Sequence, residues 1–267
     1  MHNRQTKGFT LIELIMVIVI IGILSTITTD LITLPVKSYL DLERRTTLVD
    51  SAEMSLRRMQ RDIRRALPNS IIANGGTTIE LLHTSEGGRY RANVSDAGLG
   101  DILDFTTADA QFDVIGPLST TPSGYLVIYN TGTLGANAYA HDNLVSINKG
   151  ASTLNSIQLT TAKRFPYRSP QQRFFIVDTP ITYSCTNGEL RRYDNKIDSS
   201  YTISSPSPSL SRLRYKLQAK AKMLSCQFDY DPGSATRAAL VTIEIKLTDD
   251  AGESVKLIHQ VHVDNMP

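Results

Sequence analysis

Between Phe9 and Thr29 the chain reads Phe-Thr-Leu-Ile-Glu-Leu-Ile-Met-Val-Ile-Val-Ile-Ile-Gly-Ile-Leu-Ser-Thr-Ile-Thr-Thr, and Glu13 is its only ionisable side chain. A carboxylate within a membrane helix costs about 2.5 to 3.5 kcal/mol on insertion scales, so a partner is expected. Glu13 lies five residues past Gly8 and could snorkel back to lipid headgroups. Alternatively, cutting between Gly8 and Phe9 makes a new α-amino group about one helical turn from Glu13. An ammonium and a carboxylate then meet at a helix N-terminus, where four amide donors lack partners. Between chains, the same pairing could fix the axial step of a stacked helix array.

Other residue types with chemical potential are few. Cys185 and Cys226 are the only thiols, and neither stands in a CxxC or Cys/His spacing, which leaves zinc and thioredoxin-like readings without support. They form either two buried thiols or, in an oxidising compartment, one bridge, for which the entropy model gives about 4 kcal/mol. The histidines are His2, His83, His141, His259 and His262. No two share a metal-binding helix face, and His259 and His262 would point to opposite sides of a strand. Asp229 with Asp231, and Asp249 with Asp250, could approach calcium, but the EF-hand spacing is missing and a solvated turn accounts for them. GxSxG, HExxH, Walker and GxGxxG elements are absent. No enzyme active site, metal or cofactor is therefore expected.

The element that must position Glu13 is a helix. Residues 9–29 span about 31 Å at 1.5 Å per residue, the thickness of a hydrocarbon core. Arg4 and Lys7 precede it, so the positive-inside rule leaves that end in the cytoplasm and exports the remainder. The charge distribution agrees. The 28 basic and 26 acidic residues give +2, but without residues 1–8 the balance is zero. From Asn69 onward there are 18 basic against 19 acidic residues. On that distribution no nucleic-acid partner is expected. The junction after the apolar run, Ser25 to Thr29, lacks an A-x-A pattern, so the apolar helix is expected to be retained.

Lys7-Gly8-Phe9-Thr10-Leu11-Ile12-Glu13-Leu14 followed by the apolar run resembles the class III signal of type IV prepilins and type II secretion pseudopilins. The resemblance covers about the first 25 residues. It implies a leader of residues 1–8 removed after Gly8 by a prepilin peptidase, N-methylation of Phe9, and a role for Glu13 in filament assembly. It also implies a single-pass inner-membrane protein of a Gram-negative bacterium, with a periplasmic head that later enters a pilus among major and other minor subunits. The chain departs from many members in having Asp30 where a proline often follows a glycine like Gly22. Its first proline is Pro35, expected to bend the helix.

From Val36 the apolar positions Val36, Leu40, Leu48, Ala52, Leu56, Met59, Ile63 and Leu67 keep one helix side apolar, and Pro68 ends the pattern. The spacing predicts a helical rod of about 59 residues, about 88 Å if straight, with residues 30–67 as its amphipathic continuation. Arg57, Arg58, Arg61, Arg64 and Arg65 crowd its last turns. They complement the helix dipole or meet an acidic patch on a neighbouring subunit.

Residues 68–267 read as a β-rich head. Strands are predicted at Thr78–Leu82, Ile102–Thr106, Tyr125–Tyr129, Leu144–Ile147, Ile157–Thr160, Phe174–Val177, Ile181–Cys185 and Met223–Tyr230. Alternation from Val241 to Leu247 and Val255 to Val263 about a turn at Asp249–Glu253 predicts a closing hairpin. Gly132–Asp142 and Ser199–Ser211 read as surface excursions. An antiparallel sheet with one apolar face would cover the helix, giving an α+β, pilin-like fold with a large insertion before the last hairpin. Tyr183-Ser184-Cys185 and the tail Gln260–Pro267 resemble the minor-pilin branch serving mannose-sensitive haemagglutinin pili. The length implies a minor subunit by that likeness, since major subunits of the family are usually shorter. The alternatives are a minor pseudopilin of type II secretion and a tip adhesin whose site would be an exposed loop at Gly124–Asn143.

Overall fold

The computed structural model describes residues 8–73, 76–95, 98–194, 214–233 and 237–265. Arg4 and Lys7, the Ser199–Ser211 stretch and the last two residues of the tail lie outside them. The chain divides into two compact units, Met1–Thr47 and Leu48–Pro267. One helix, α1 (Leu11–Arg64), contributes to both.

In the first unit the described apolar side chains of α1 are exposed all round. α1 continues through Pro35, whose missing N–H leaves the carbonyl of Leu31 without its helical donor. Val36 and Leu40, expected to lie on the buried stripe, are 53% and 42% exposed. The stripe is buried from Leu48 onward, where Leu48, Ala52, Leu56, Met59 and Ile63 enter the core of the second unit. The correction has a simple cause: periodicity marks an apolar face but does not say how far along a helix the covering sheet reaches. The helix also stops at Arg64, ahead of Pro68. Backbone bonds from Leu67 N–H to Leu82 O and from Thr84 N–H to Arg65 O draw residues 65–67 into an extended path, and Leu67 is buried there.

Twelve strands are described: β1 (Ile72–Ala73), β2 (Thr78–Tyr90), β3 (Asp109–Ile115), β4 (Tyr125–Ile128), β5 (Leu144–Ser146), β6 (Ser156–Lys163), β7 (Arg173–Thr186), β8 (Glu189–Asp194), β9 (Arg214–Lys220), β10 (Met223–Asp231), β11 (Ala239–Thr248) and β12 (Ser254–Val263). All pairings between them are antiparallel, which agrees with the expected α+β class. The larger sheet runs β5-β4-β7-β2-β3-β6, with β1 on β2 and β8-β9 on β7. The smaller sheet is β10-β11-β12.

The long β2–β7 ribbon organises the head. Its inner half pairs Thr78–His83 with Thr179–Ser184, and irregularities at His83/Thr84 and Thr84/Glu86 separate this from an outer half pairing Thr84–Arg89 with Arg173–Val177. The inner half joins the smaller sheet over α1. Ile79, Leu81 and Ile181 from one sheet and Val241, Ile243 and Ile245 from the other enclose Met59 and Ile63 in one core. The outer half curls until β5 meets β6 at the Ile147–Leu159 bridge. It thereby closes around a second core in which Phe112 and Phe174 stack edge to face at 5.9 Å.

Two expectations for strands and one for a loop need correction. Ile102–Thr106 is not a strand, because the Asp104 carboxylate accepts from the Thr106 N–H and from the hydroxyls of Thr106 and Thr107, forming a local turn. Phe174–Val177 and Ile181–Cys185 are one strand, β7. Gly124–Asn143 is no free loop: its first residues form β4, paired with β7. Ala138 and Tyr139 of a short 3-10 turn are buried, and the Tyr139 hydroxyl donates to Ser70 O at 2.8 Å.

Candidate functional site

The N-terminal segment is built by a cap. Residues 8–10 are non-helical and exposed. Thr10 Oγ1 accepts the Glu13 N–H at 3.3 Å while Thr10 O accepts the Leu14 N–H at 3.2 Å. Thr10 followed three residues later by Glu13 has the order of a capping box, a signal present in the sequence that a reading centred on Glu13 alone passes over. This cap starts the helix two residues after Phe9 and leaves the Gly8–Phe9 peptide outside it. Phe9 is 81% exposed, and a Cβ built at Gly8 would meet no atom within 4 Å. Glu13 is exposed and forms no ion pair among the described residues.

Farther along α1 the hydroxyls fold back on their own helix: Ser25 Oγ donates to Ile21 O at 2.7 Å, Thr26 Oγ1 to Ile23 O at 2.8 Å and Thr28 Oγ1 to Leu24 O at 2.7 Å. Polar side chains satisfied in this way carry a small penalty in an apolar phase. Among the described residues, no helix is long and apolar enough to cross a membrane.

The other end of α1 is held by a buried polar cluster. Asp62 Oδ2 accepts from the Tyr183 hydroxyl and from Arg192 Nε, both at 2.7 Å, and Arg192 Nη1 reaches Asp194 Oδ2 at 2.9 Å. Asp62 and Arg192 are buried, and Tyr183 is fully so. Burial, then the Asp62 charge and its hydrogen bond, push the Tyr183 phenol far above its ordinary value. The cluster fixes the rotation of α1 against β7 and β8. Sequence reading missed it, because Asp62 lies between helix arginines and looks like a surface residue.

The five arginines near the helix end separate. Arg57 pairs with Glu53 at 2.8 Å, and Arg58 lies 3.9 Å from Asp62. Arg61 and Arg64 occupy the last turn, where cations complement the dipole. Cys185 of β7 and Cys226 of β10 are joined as a disulfide with Cα atoms 5.9 Å apart. The bridge crosses the seam between the two sheets, beside a backbone bond from Phe228 N–H to Gly76 O at 3.0 Å.

The candidate metal ligands are placed otherwise. His83 Nδ1 contacts Asp178 Oδ1 at 2.7 Å. His259 and His262 lie across from Ile243 and Leu240 and so on opposite faces of β12. Asp229 accepts from the Gln227 amide, and Asp231 takes the Gly233 N–H and Arg237. Asp249 accepts from the N–H groups of Ala251 and Glu253 at its own turn. Among the described residues no group of three or more such ligands is gathered.

Residues 3–29 match the family model described as the prokaryotic N-terminal methylation motif. No curated protein and no solved structure matches the chain. The motif is the class III signal of type IV prepilins, which implies processing by a prepilin peptidase, a membrane anchor and assembly with other pilin-type subunits. It points to a structural subunit and not to an enzyme. The chain thus carries a prepilin-type signal on a long helix whose far end is packed on antiparallel sheets.

Proposed function

We propose that the chain is a minor subunit of a type IV pilus, of the mannose-sensitive haemagglutinin kind, incorporated at low copy to initiate or support assembly. The observation that carries this reading is the methylation motif over residues 3–29, with the Gly8–Phe9 bond exposed just ahead of a capped helix. Cleavage there releases the α-amino group of Phe9 beside Glu13. In a single chain Glu13 has no ionic partner among the described residues, which suits a carboxylate that receives the Phe9 ammonium of its own or an adjacent subunit. The apolar surface of α1 in the first unit would be covered by lipid before assembly and by neighbouring helices after it.

The second reading is a minor pseudopilin of type II secretion, which uses the same signal. The genes adjacent to this one separate the two. Mass spectrometry of the mature protein should find Phe9 first and carrying a methyl group, and an intact Met1 terminus would remove the main argument. Glu13→Ala should leave the protein in the membrane but reduce its recovery in sheared filaments. Normal recovery would leave headgroup snorkelling as the account of Glu13.

A further inference from the structure

The smaller sheet ends on β12, which pairs with β11 from Ser254 to Val263 without a register shift. The turn fixes which way its hydrogen-bonding groups point. The Asp249 N–H donates to Glu253 O at 2.9 Å, and in an antiparallel pair bonded rungs of this kind alternate with unbonded ones. Val255, Leu257, His259, Val261 and Val263 therefore spend their N–H and C=O groups on β11. Ser254, Lys256, Ile258, Gln260 and His262 point theirs away from it, and no described residue takes them up. Donors and acceptors alternating along an extended backbone are filled as a set only by another extended chain.

Native sheets guard such an edge with proline, a bulge, a charge or a covering element. β12 contains no Pro or Gly and no bulge. Lys256, of the residue type that commonly guards an edge, is held by Glu244 of its own sheet at 2.7 Å. The outward residues are all exposed, Ile258 to 61%. At the other side of the sheet β10 is engaged, since the Phe228 N–H donates to Gly76 O at 3.0 Å and Cys226 is bridged to β7.

A second copy of the chain fits this edge poorly. Antiparallel pairing of β12 with itself needs a two-fold axis normal to the sheet. That axis reverses α1 in one copy, whereas subunits anchored through the same end of α1 run the same way. Head-to-tail pairing with β9, the end strand beyond β8, would bring Arg214, Lys216 and Lys220 to a strand carrying Lys256, His259 and His262, with no acid in either strand.

We propose that β12 extends its sheet with a strand of a different pilin-type subunit, one that sets a β-branched or aromatic side chain against Ile258 and no cation beside Lys256. The proposal rests on the filament-subunit reading above. The backbone ladder supplies the attraction, and the alternate side chains select the neighbour.

The test uses the full chain in producing cells, with a photoreactive phenylalanine analogue at Ile258. Irradiation should crosslink it to another pilin-type subunit, within a strand-forming peptide. Gln260→Pro deletes one outward N–H and spares the bonds to β11, because proline is tolerated where a strand's N–H faces outward. Gln260→Ala removes the same side chain and keeps the N–H. The proline variant should lower the crosslink yield roughly fivefold and the alanine variant by less than about twofold. The Cys185–Cys226 bridge, scored in the same samples, shows that each variant has folded. His262→Pro against His262→Ala repeats the comparison at the next outward residue if Gln260→Pro does not fold. A crosslink to a second copy or to lipid, no crosslink, or equal effects of proline and alanine would overturn the proposal. The Phe9 terminus is read in parallel: processed chains without the crosslink sink the edge pairing alone, and unprocessed chains sink the filament reading.

Discussion

Tyr183 couples the stability of the head to alkaline pH. Its phenol is buried against the Asp62 carboxylate, and its pKa is raised above the ordinary 10.0. The folded chain therefore holds this proton more tightly than the unfolded chain. Stability from this group is fully present below pH about 10 and is lost as pH rises beyond it. Burial raises Tyr90 and Tyr230 in the same direction, so removing one phenol should reduce the slope without abolishing it. Tyr183→Phe is expected to cost about 1.5 to 3 kcal/mol at neutral pH and to flatten the alkaline limb, as read by denaturant unfolding between pH about 8 and 11. An alkaline limb identical to that of the parent chain would show that Tyr183 does not carry the effect. At this scale the sequence showed Glu13 plainly, because a lone acid in an apolar run has few explanations. It did not show Asp62, whose pairing needs Tyr183 and Arg192 to arrive from more than a hundred residues away.

Among the elements, β7 shows why strand reading from sequence stops short. Read in sequence, Pro180 divides two apolar runs, since a proline cannot donate to a ladder. In the fold, β4 pairs only with Phe174–Val177 and β8 only with Ile181–Thr186. Pro180 falls in the gap between them, where no N–H is needed on that side, and the strand continues. The closing hairpin was legible because β11 alternates strictly between a buried and a wetter face. The disulfide sits at the junction of these elements, tying β7 to β10 across a sequence separation of 41. Cys226→Ala should lower unfolding stability by about 4 kcal/mol, and reductant should lower the parent chain by a similar amount. A parent chain indifferent to reductant would mean that the two sheets are held at this seam by packing alone.

At the scale of the molecule, the change in burial at Leu48 divides the chain by what it needs from its surroundings. The unit from Leu48 onward buries the apolar face of α1 in its own core, whereas Leu31, Leu34, Val36 and Tyr39 of the first unit remain exposed. A chain beginning at Leu48 is therefore expected to unfold cooperatively and to stay monomeric without detergent. Circular dichroism and sedimentation check this, and aggregation or loss of cooperative unfolding would mean that the preceding residues are needed for the fold. The second core, closed where β5 meets β6, has no counterpart in the sequence reading, which gave only an insertion of unspecified form. Its Ile147–Leu159 bridge joins two segments whose runs, read separately, look like unrelated short strands.

The sequence by itself determined the N-terminal signal, the α+β class, the apolar stripe from Leu48 to Ile63 and the final hairpin. Each of these depends on residue order over a short stretch, through helical or strand periodicity or a linear motif. Only the tertiary structure decided where the stripe becomes buried, which carboxylate holds α1 to the sheets, how β2 and β7 serve two cores at once, and that β12 stands at the edge of its sheet. Those features are made by side chains and strands far apart in the chain, and their meeting is set by packing and register, which local periodicity does not encode.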